Sequence, residues 1–316
     1  MDAPGLTTVS PGALLPPAAP FGRMLTALVT PMTPDGAIDE HGAAELAAHL
    51  VDDLGHDGLL VNGTTGEAPT TSDREKDALL RSVIAAVGDR AHVLAGVGSY
   101  DTAHAVELTR SAEKAGAGGV VAVSPYYNRP PQAGLIEYFT AIADASGLPV
   151  ITYDIPKRTG VSIEPETLWR LAEHPRIVAN KDAKGDLEAA QRTLARCDLA
   201  WYSGDDILNL PLLSVGACGF ISVVGHLVGD RLSSMSKHYF AGEVTSATAV
   251  NKALLPVYTG CFRTQGVILI KAALAELSLP AGPVRSPLVN ATTQQRNTLR
   301  SDLAAGGVTG FTPGNS

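Results

Sequence analysis

The chain has 316 residues, 45% of them hydrophobic and 18% charged, which is the balance of an ordinary globular protein with room for a large core. A formal charge of −8 argues against a nucleic-acid surface, which needs a basic face. Three widely spaced cysteines (Cys197, Cys218 and Cys261) and eight scattered histidines form no CxxC, HxH or HExxH spacing, so neither a disulfide framework nor a metal site is expected.

The first twenty residues carry Pro4, Pro11, Pro16, Pro17 and Pro20 and no lysine or arginine. A secretory signal needs a basic start and an unbroken apolar middle, so residues 1–21 are expected to be a disordered tail and the protein cytoplasmic. From residue 24 onward, short β-branched runs alternate with longer amphipathic stretches. The runs are Leu25–Val29, Gly58–Val61, His92–Ala95, Gly119–Val123, Pro149–Tyr153, Arg176–Lys181, Leu199–Ser203 and Gly219–Val223. Between most of them lie helical patterns such as Asp39–Asp53, Ser72–Val87, Thr102–Ala115, Gly134–Ala145 and Glu164–Ala172. Ser72 with Glu75 reads as a capping box, and Gly88, Gly116 and Gly147 read as helix stops.

Near-continuous apolar strands imply a parallel sheet covered on both faces. Eight strand–helix units in succession predict an α/β fold of the (β/α)8 TIM-barrel type. A doubly wound open sheet is the competitor, but it often carries a glycine-rich phosphate turn after its first strand, where this chain has Thr30-Pro31-Met32-Thr33-Pro34. The uncharged run from Ile207 to Gly229 raises the question of a membrane span. Pro211, Gly216, Gly219 and Gly225 interrupt it, which fits a short helix, a turn and a strand instead. Helical patterns over Val244–Phe262, Gly266–Leu277 and Thr292–Ala305 suggest an appended C-terminal layer. The expected division is a catalytic barrel over 22–230 and a helical region over 231–316.

In such a barrel the chemistry sits where strands end and βα loops begin. Those positions hold Asn62-Gly63-Thr64-Thr65-Gly66-Glu67, Ser124-Pro125-Tyr126-Tyr127-Asn128, Tyr153-Asp154-Ile155-Pro156-Lys157-Arg158-Thr159-Gly160, Lys181-Asp182 and Ser203-Gly204-Asp205-Asp206. Lys181 closes an apolar run. A solitary lysine at a strand end is ordinarily solvated, but a buried one sheds its proton and becomes the nucleophile that carbonyl chemistry needs. The Gly63–Gly66 turn offers hydroxyls and backbone N–H groups to a carboxylate or phosphate, or is a plain β-turn. Tyr153 is either an acid–base group or a packed phenol. Arg158 is a rigid fork suited to a carboxylate, although most loop arginines are solvated. Asp205 and Asp206 read as a turn or helix cap.

In combination these motifs, with Lys181-Asp182-Ala183-Lys184-Gly185-Asp186, resemble those of the dihydrodipicolinate synthase family, within the pyruvate-dependent class I aldolases that include N-acetylneuraminate lyase. The resemblance runs from about residue 22 to the C-terminal helices. It implies that Lys181, rather than Lys184 or Lys157, forms an imine with pyruvate, and that Tyr153 moves protons to and from the adduct. It also implies that Thr65 links Tyr153 to Tyr127 of a neighbouring subunit, and that Thr64 and Thr65 hold the pyruvate carboxylate. Arg158 would bind the carboxylate of L-aspartate 4-semialdehyde, while Gly204 and Ile221 would close the pocket beside the lysine. No cofactor or metal is implied, the assembly would be a homotetramer built from dimers, and the product would feed lysine and diaminopimelate biosynthesis.

A sister aldolase or dehydratase acting on a keto-deoxy sugar acid would use the same lysine, but Arg158 and the Thr64-Thr65 pair suit the synthase pattern. A catalytically silent paralogue would not be expected to keep Lys181, Tyr153, Thr65 and Arg158 together. Ala68, Tyr100 and His104 stand where lysine-inhibited bacterial members have serine, asparagine and glutamate, so weak or absent lysine feedback is expected.

Overall fold

A computed structural model describes residues 17–310. Eight parallel strands close into a barrel in sequence order: β1 (Met24–Ala27), β2 (Gly58–Val61), β3 (His92–Gly96), β4 (Gly119–Val123), β5 (Val150–Asp154), β6 (Ile177–Asp182), β7 (Ala200–Ser203) and β8 (Gly219–Ser222). The strands fall within one or two residues of the apolar runs, because a strand buried on both faces leaves almost no position for a polar side chain. Helices α1 (Glu40–Ala48), α2 (Asp73–Val87), α3 (Thr102–Ala115) and α4 (Gln132–Asp144) follow the first four strands. A single turn, α5 (Pro156–Thr159), and α6 (Pro165–Ala172) follow β5, and α7 (Leu187–Leu194), α8 (Asn209–Ser214) and α9 (Gly225–Phe240) complete the ring. Helices α10 (Val244–Cys261), α11 (Gly266–Glu276) and α12 (Thr293–Ala305) form the C-terminal layer. Among the described residues no single helix is long and apolar enough to cross a membrane.

Alternation along the strands separates two cores. Outward side chains such as Leu59, Val61 and Val120 meet the helices, while Leu25, Leu60, Leu94, Val121, Ile151 and Ile221 fill the barrel. Phe21 belongs to the inner core: its N–H donates to the Tyr202 hydroxyl at 3.2 Å and its ring meets His92 edge-on. The tail expected over 1–21 lies outside the described residues as far as residue 16, but Phe21 packs as core, because an aromatic ring gains more by filling the barrel than by staying in water.

A boundary between residues 230 and 231 would cut α9 in two. That helix lies directly on β1. A Cβ on Gly225 would come within 2.1 Å of Thr26 Oγ1, and one on Gly229 within 2.1 Å of His56 Cε1. Gly225 reads as a break in the sequence; in the structure it opens α9, which kinks at Val228 (φ −142°, ψ 29°) between the two closely packed glycines.

Candidate functional site

Lys181 is 3% exposed and faces into the barrel, level with Tyr153 on β5 and Tyr202 on β7. Its Nζ lies 4.2 Å from the centre of the Tyr153 ring. Burial lowers its pKa to about 7; the Asp206 carboxylate opposes that fall and the Arg158 charge adds to it. A large share of the side chain is therefore free amine at neutral pH, and its place in the barrel separates it from the other two candidates. Lys157 is exposed, with its ammonium 3.7 Å from Asp205. Lys184 turns away, its Nζ 3.5 Å from Asp154 and 3.3 Å from the Ile163 carbonyl. Burial pushes Asp154 up to about 7 against the pull of Lys184.

A cavity of about 940 Å³ opens above Lys181 and is lined by Thr64, Thr65, Tyr153, Arg158, Lys181 and Gly204 among others. Gly204 is there of necessity, since a Cβ would sit 2.8 Å from Lys181 Cε and 2.9 Å from its Cγ. Ile221 is fully buried in the inner core beneath, and Val223, two residues further along, is the β8-end residue that lines the cavity.

Tyr153 is buried, and burial raises its phenol to about 12, while Arg158 and the Thr64 hydroxyl pull the other way. The hydroxyl that meets Tyr153 is thus that of Thr64 and not, as expected from the resemblance, that of Thr65. Asn62 and Glu67 both adopt left-handed backbone (φ 59° and 57°), and Gly66 and Ala68 N–H both donate to the Gly63 carbonyl. Arg158 stands exposed at the mouth, its Nη2 donating to Gln265 Oε1 at 2.7 Å, a C-terminal-layer contact that the sequence did not suggest. Tyr127 is 93% exposed with φ 72°, and the structure does not bring it to Lys181 of its own chain.

Asp206 is buried and accepts from the Val223 and Val224 N–H groups at 2.9 and 3.0 Å, from Asn209 Nδ2 at 3.1 Å and from the Ser222 hydroxyl. It is more than a turn residue, because it braces the β7 loop against the end of β8. Nothing in the sequence around it reveals that partner set, which comes from four positions up to 18 residues away.

A second cavity, of about 390 Å³, adjoins the first and shares Thr64, Tyr153 and Arg158 with it. Ala68, Lys76, Tyr100, His104 and Tyr126 are among its lining residues.

A closed parallel barrel that holds a buried lysine, its pKa lowered to about 7, at the carboxyl ends of its strands has the layout of the Schiff-base-forming barrel enzymes. The chain belongs to the dihydrodipicolinate synthetase family, whose model matches residues 20–306. It is 63% identical to 4-hydroxy-tetrahydrodipicolinate synthase 2 of Streptomyces coelicolor, over 92% of this chain and 97% of that one. It is 60% identical to 4-hydroxy-tetrahydrodipicolinate synthase of Acidothermus cellulolyticus, over 94% and 96% of the two chains. Among solved structures, the enzyme of Cyanidioschyzon merolae with lysine bound superposes with a TM-score of 0.90 at 41% identity, covering 92% of this chain and all of that one. The chloride-inhibited Acinetobacter baumannii enzyme complexed with pyruvate gives 0.88 at 34% identity, covering 92% and 100%.

Proposed function

We propose that this protein is a lyase that condenses pyruvate with L-aspartate 4-semialdehyde to 4-hydroxy-tetrahydrodipicolinate, a step of lysine and diaminopimelate biosynthesis. The observation that carries the reading is the buried Lys181 amine at the cavity floor, held against Tyr153 with a pKa near neutrality.

The chemistry follows from those positions. The Lys181 amine adds to the pyruvate carbonyl, and loss of water gives a protonated imine. That cation acidifies the neighbouring methyl group, and loss of a proton there gives an enamine. The enamine carbon attacks the aldehyde, forming the new C–C bond. The amine of the second substrate then displaces Lys181, which closes the ring and frees the enzyme. Every step moves a proton, and a positioned phenol such as Tyr153 contributes roughly 10²–10⁴-fold. Thr64, whose hydroxyl meets Tyr153, takes the relay position, and Thr65 joins it in holding the pyruvate carboxylate. Arg158 at the mouth suits the carboxylate of the second substrate.

Tyr127, thrust into solvent on a left-handed backbone, is suited to completing the relay in a second copy of the chain, and we infer a dimer on that basis, paired into a homotetramer as the family resemblance implies. Three free cysteines fit a reducing compartment, hence the cytoplasm.

Borohydride reduction in the presence of pyruvate, followed by peptide mapping, tests the core of this reading. A mass increase on the peptide of Lys181 is expected; no adduct, or one on Lys184, overturns it. Arg158→Ala is expected to keep adduct formation and to lose condensation. Turnover of a keto-deoxy sugar acid in preference to L-aspartate 4-semialdehyde would replace the synthase with a sister aldolase.

A further inference from the structure

Beneath the Gly63–Gly66 turn lies a buried ionic network that the chemistry above does not use. Lys271, in the middle of α11, is 3% exposed. Its Nζ is 2.6 Å from Glu67 Oε1 and donates to the Pro283 carbonyl at 2.8 Å. Glu67 is equally buried, and its second oxygen accepts the Arg285 backbone N–H at 2.8 Å. The Arg285 guanidinium donates to the Gly36 carbonyl at 3.0 and 2.9 Å, to the Thr70 carbonyl at 2.8 Å and to both oxygens of Glu75. Next to Glu67, the Thr30 hydroxyl donates to the Gly66 carbonyl at 2.7 Å. The segment that carries Pro283 and Arg285 is itself fixed. Met32 N–H donates to the Ala281 carbonyl at 3.1 Å, and a Cβ on Gly282 would come within 1.7 Å of the Met32 carbonyl oxygen.

Two buried charges are a poor route to stability, because desolvation offsets most of their attraction. What such a pair does well is specify one geometry. Here the geometry belongs to Glu67, a non-glycine residue in left-handed backbone, two residues from Thr65 and three from Thr64. Rotation of Glu67 out of that conformation would swing both threonines away from the cavity.

We propose that Lys271 and Glu67 are positioning residues. Through their ion pair the C-terminal layer holds the Gly63–Gly66 turn in the conformation that receives the pyruvate carboxylate. The inference rests on the synthase reading given above. It explains why a barrel whose strands already close needs α11 under its substrate-binding turn. Displacement of a binding group by about 1 Å can cost on the order of a hundredfold, so a small relaxation of the turn is enough to register.

The test uses the full chain with Lys271→Met, Glu67→Gln and the double variant, each checked for fold by circular dichroism and thermal melting. The readouts are the pyruvate concentration for half-maximal borohydride trapping and, separately, KM for the aldehyde at saturating pyruvate. Each single variant is expected to raise the pyruvate requirement by about tenfold or more, with the aldehyde KM within about twofold of the parent. The double variant leaves no orphaned charge and is expected to regain melting temperature without regaining pyruvate affinity, so it carries the test if a single variant fails to fold. A pyruvate requirement unchanged in the folded variants overturns the proposal. So does equal damage to both halves of the reaction, or recovery of affinity together with stability in the double variant. Failure of the parent protein to trap pyruvate at all would instead sink the synthase reading, which keeps the two failures distinct.

Discussion

The decisive property of Lys181 is its charge state, and that property is set by where β6 ends. Burial disfavours the ammonium, Arg158 adds to the effect, and the Asp206 carboxylate limits it, leaving a pKa of about 7. An amine attacks a carbonyl only when unprotonated, so the rate of adduct formation follows the deprotonated fraction. Borohydride trapping under limiting pyruvate is expected to rise about tenfold per pH unit below 7 and to level off above it. A rise that continues toward pH 10 would show an ordinary solvated lysine. The phenol of Tyr153, raised to about 12, stays protonated throughout that range and adds no step of its own to the profile.

At the scale of elements, the site depends on close approaches that side chains would prevent. Gly204 follows β7, and its missing Cβ is the space through which Lys181 passes. Gly204→Ala is expected to lower the trapping rate by about tenfold or more, because the methyl group forces the lysine off its rotamer, while the melting temperature falls only slightly. Unchanged trapping would show that the lysine side chain has slack. The strands and the polar rim at their carboxyl ends were legible in the sequence because both follow from simple patterns: apolar runs for a doubly covered sheet, and polar residues where those runs stop. Three things were not. Thr64 and Thr65 are identical neighbours, and nothing in their order says which of the two hydroxyls meets Tyr153. Helix α9 hid behind Gly225, which looks like a break but opens the helix, and Gly225 and Gly229 let it settle onto Thr26 and His56 on either side of the kink at Val228. The partners of Glu67 lie 204 and 218 residues away, at Lys271 and Arg285, and no local spacing encodes such a contact.

The molecule as a whole presents a second cavity, and its chemistry bears on regulation. Lys76 lines it with its ammonium half-buried and bonded to the Thr71 carbonyl, and burial lowers its pKa. Ala68 supplies no hydroxyl there, and His104 is held by Asp73 at 3.0 Å. A free lysine would bring a second ammonium to a site that already holds one, so inhibition by lysine is expected to be weak or absent. Strong inhibition at sub-millimolar lysine in a rate assay would contradict this.

Closure of the barrel imposes a pH dependence of its own, at the seam where β8 meets β1. His226 Nδ1 lies 2.8 Å from the Val223 carbonyl, which can only accept, so that nitrogen carries the proton; Nε2 then accepts from the Val29 N–H at 3.1 Å. His56 is bound in the same sense, with Nδ1 2.6 Å from the Leu50 carbonyl and Nε2 2.7 Å from the Thr26 hydroxyl. Each ring is therefore fixed as neutral imidazole between the first strand and its surroundings. Burial lowers both to about 4 from 6.5; backbone carbonyls work against that fall in each case, Asp57 also opposes it for His56, and His49 and His56 add to it for His56 and His226 respectively. The unfolded chain takes up protons below pH 6.5 and the folded one only near 4, so the unfolded state binds more protons throughout that window. Stability is accordingly full above 6.5 and lost as the pH falls toward 4, by about 3 kcal/mol for each ring. Glu75, held down to about 2 by Arg285, adds its own loss only below about 4.5, while Asp154, raised to about 7, takes up its proton earlier in the folded chain and offsets part of the loss from the two histidines. Denaturant midpoints measured between pH 7 and 4.5 should fall steadily in the parent protein. His56→Gln and His226→Gln should start lower at pH 7 and show a shallower fall, because a neutral amide cannot be protonated there. Parallel slopes for parent and variants would place the acid sensitivity elsewhere.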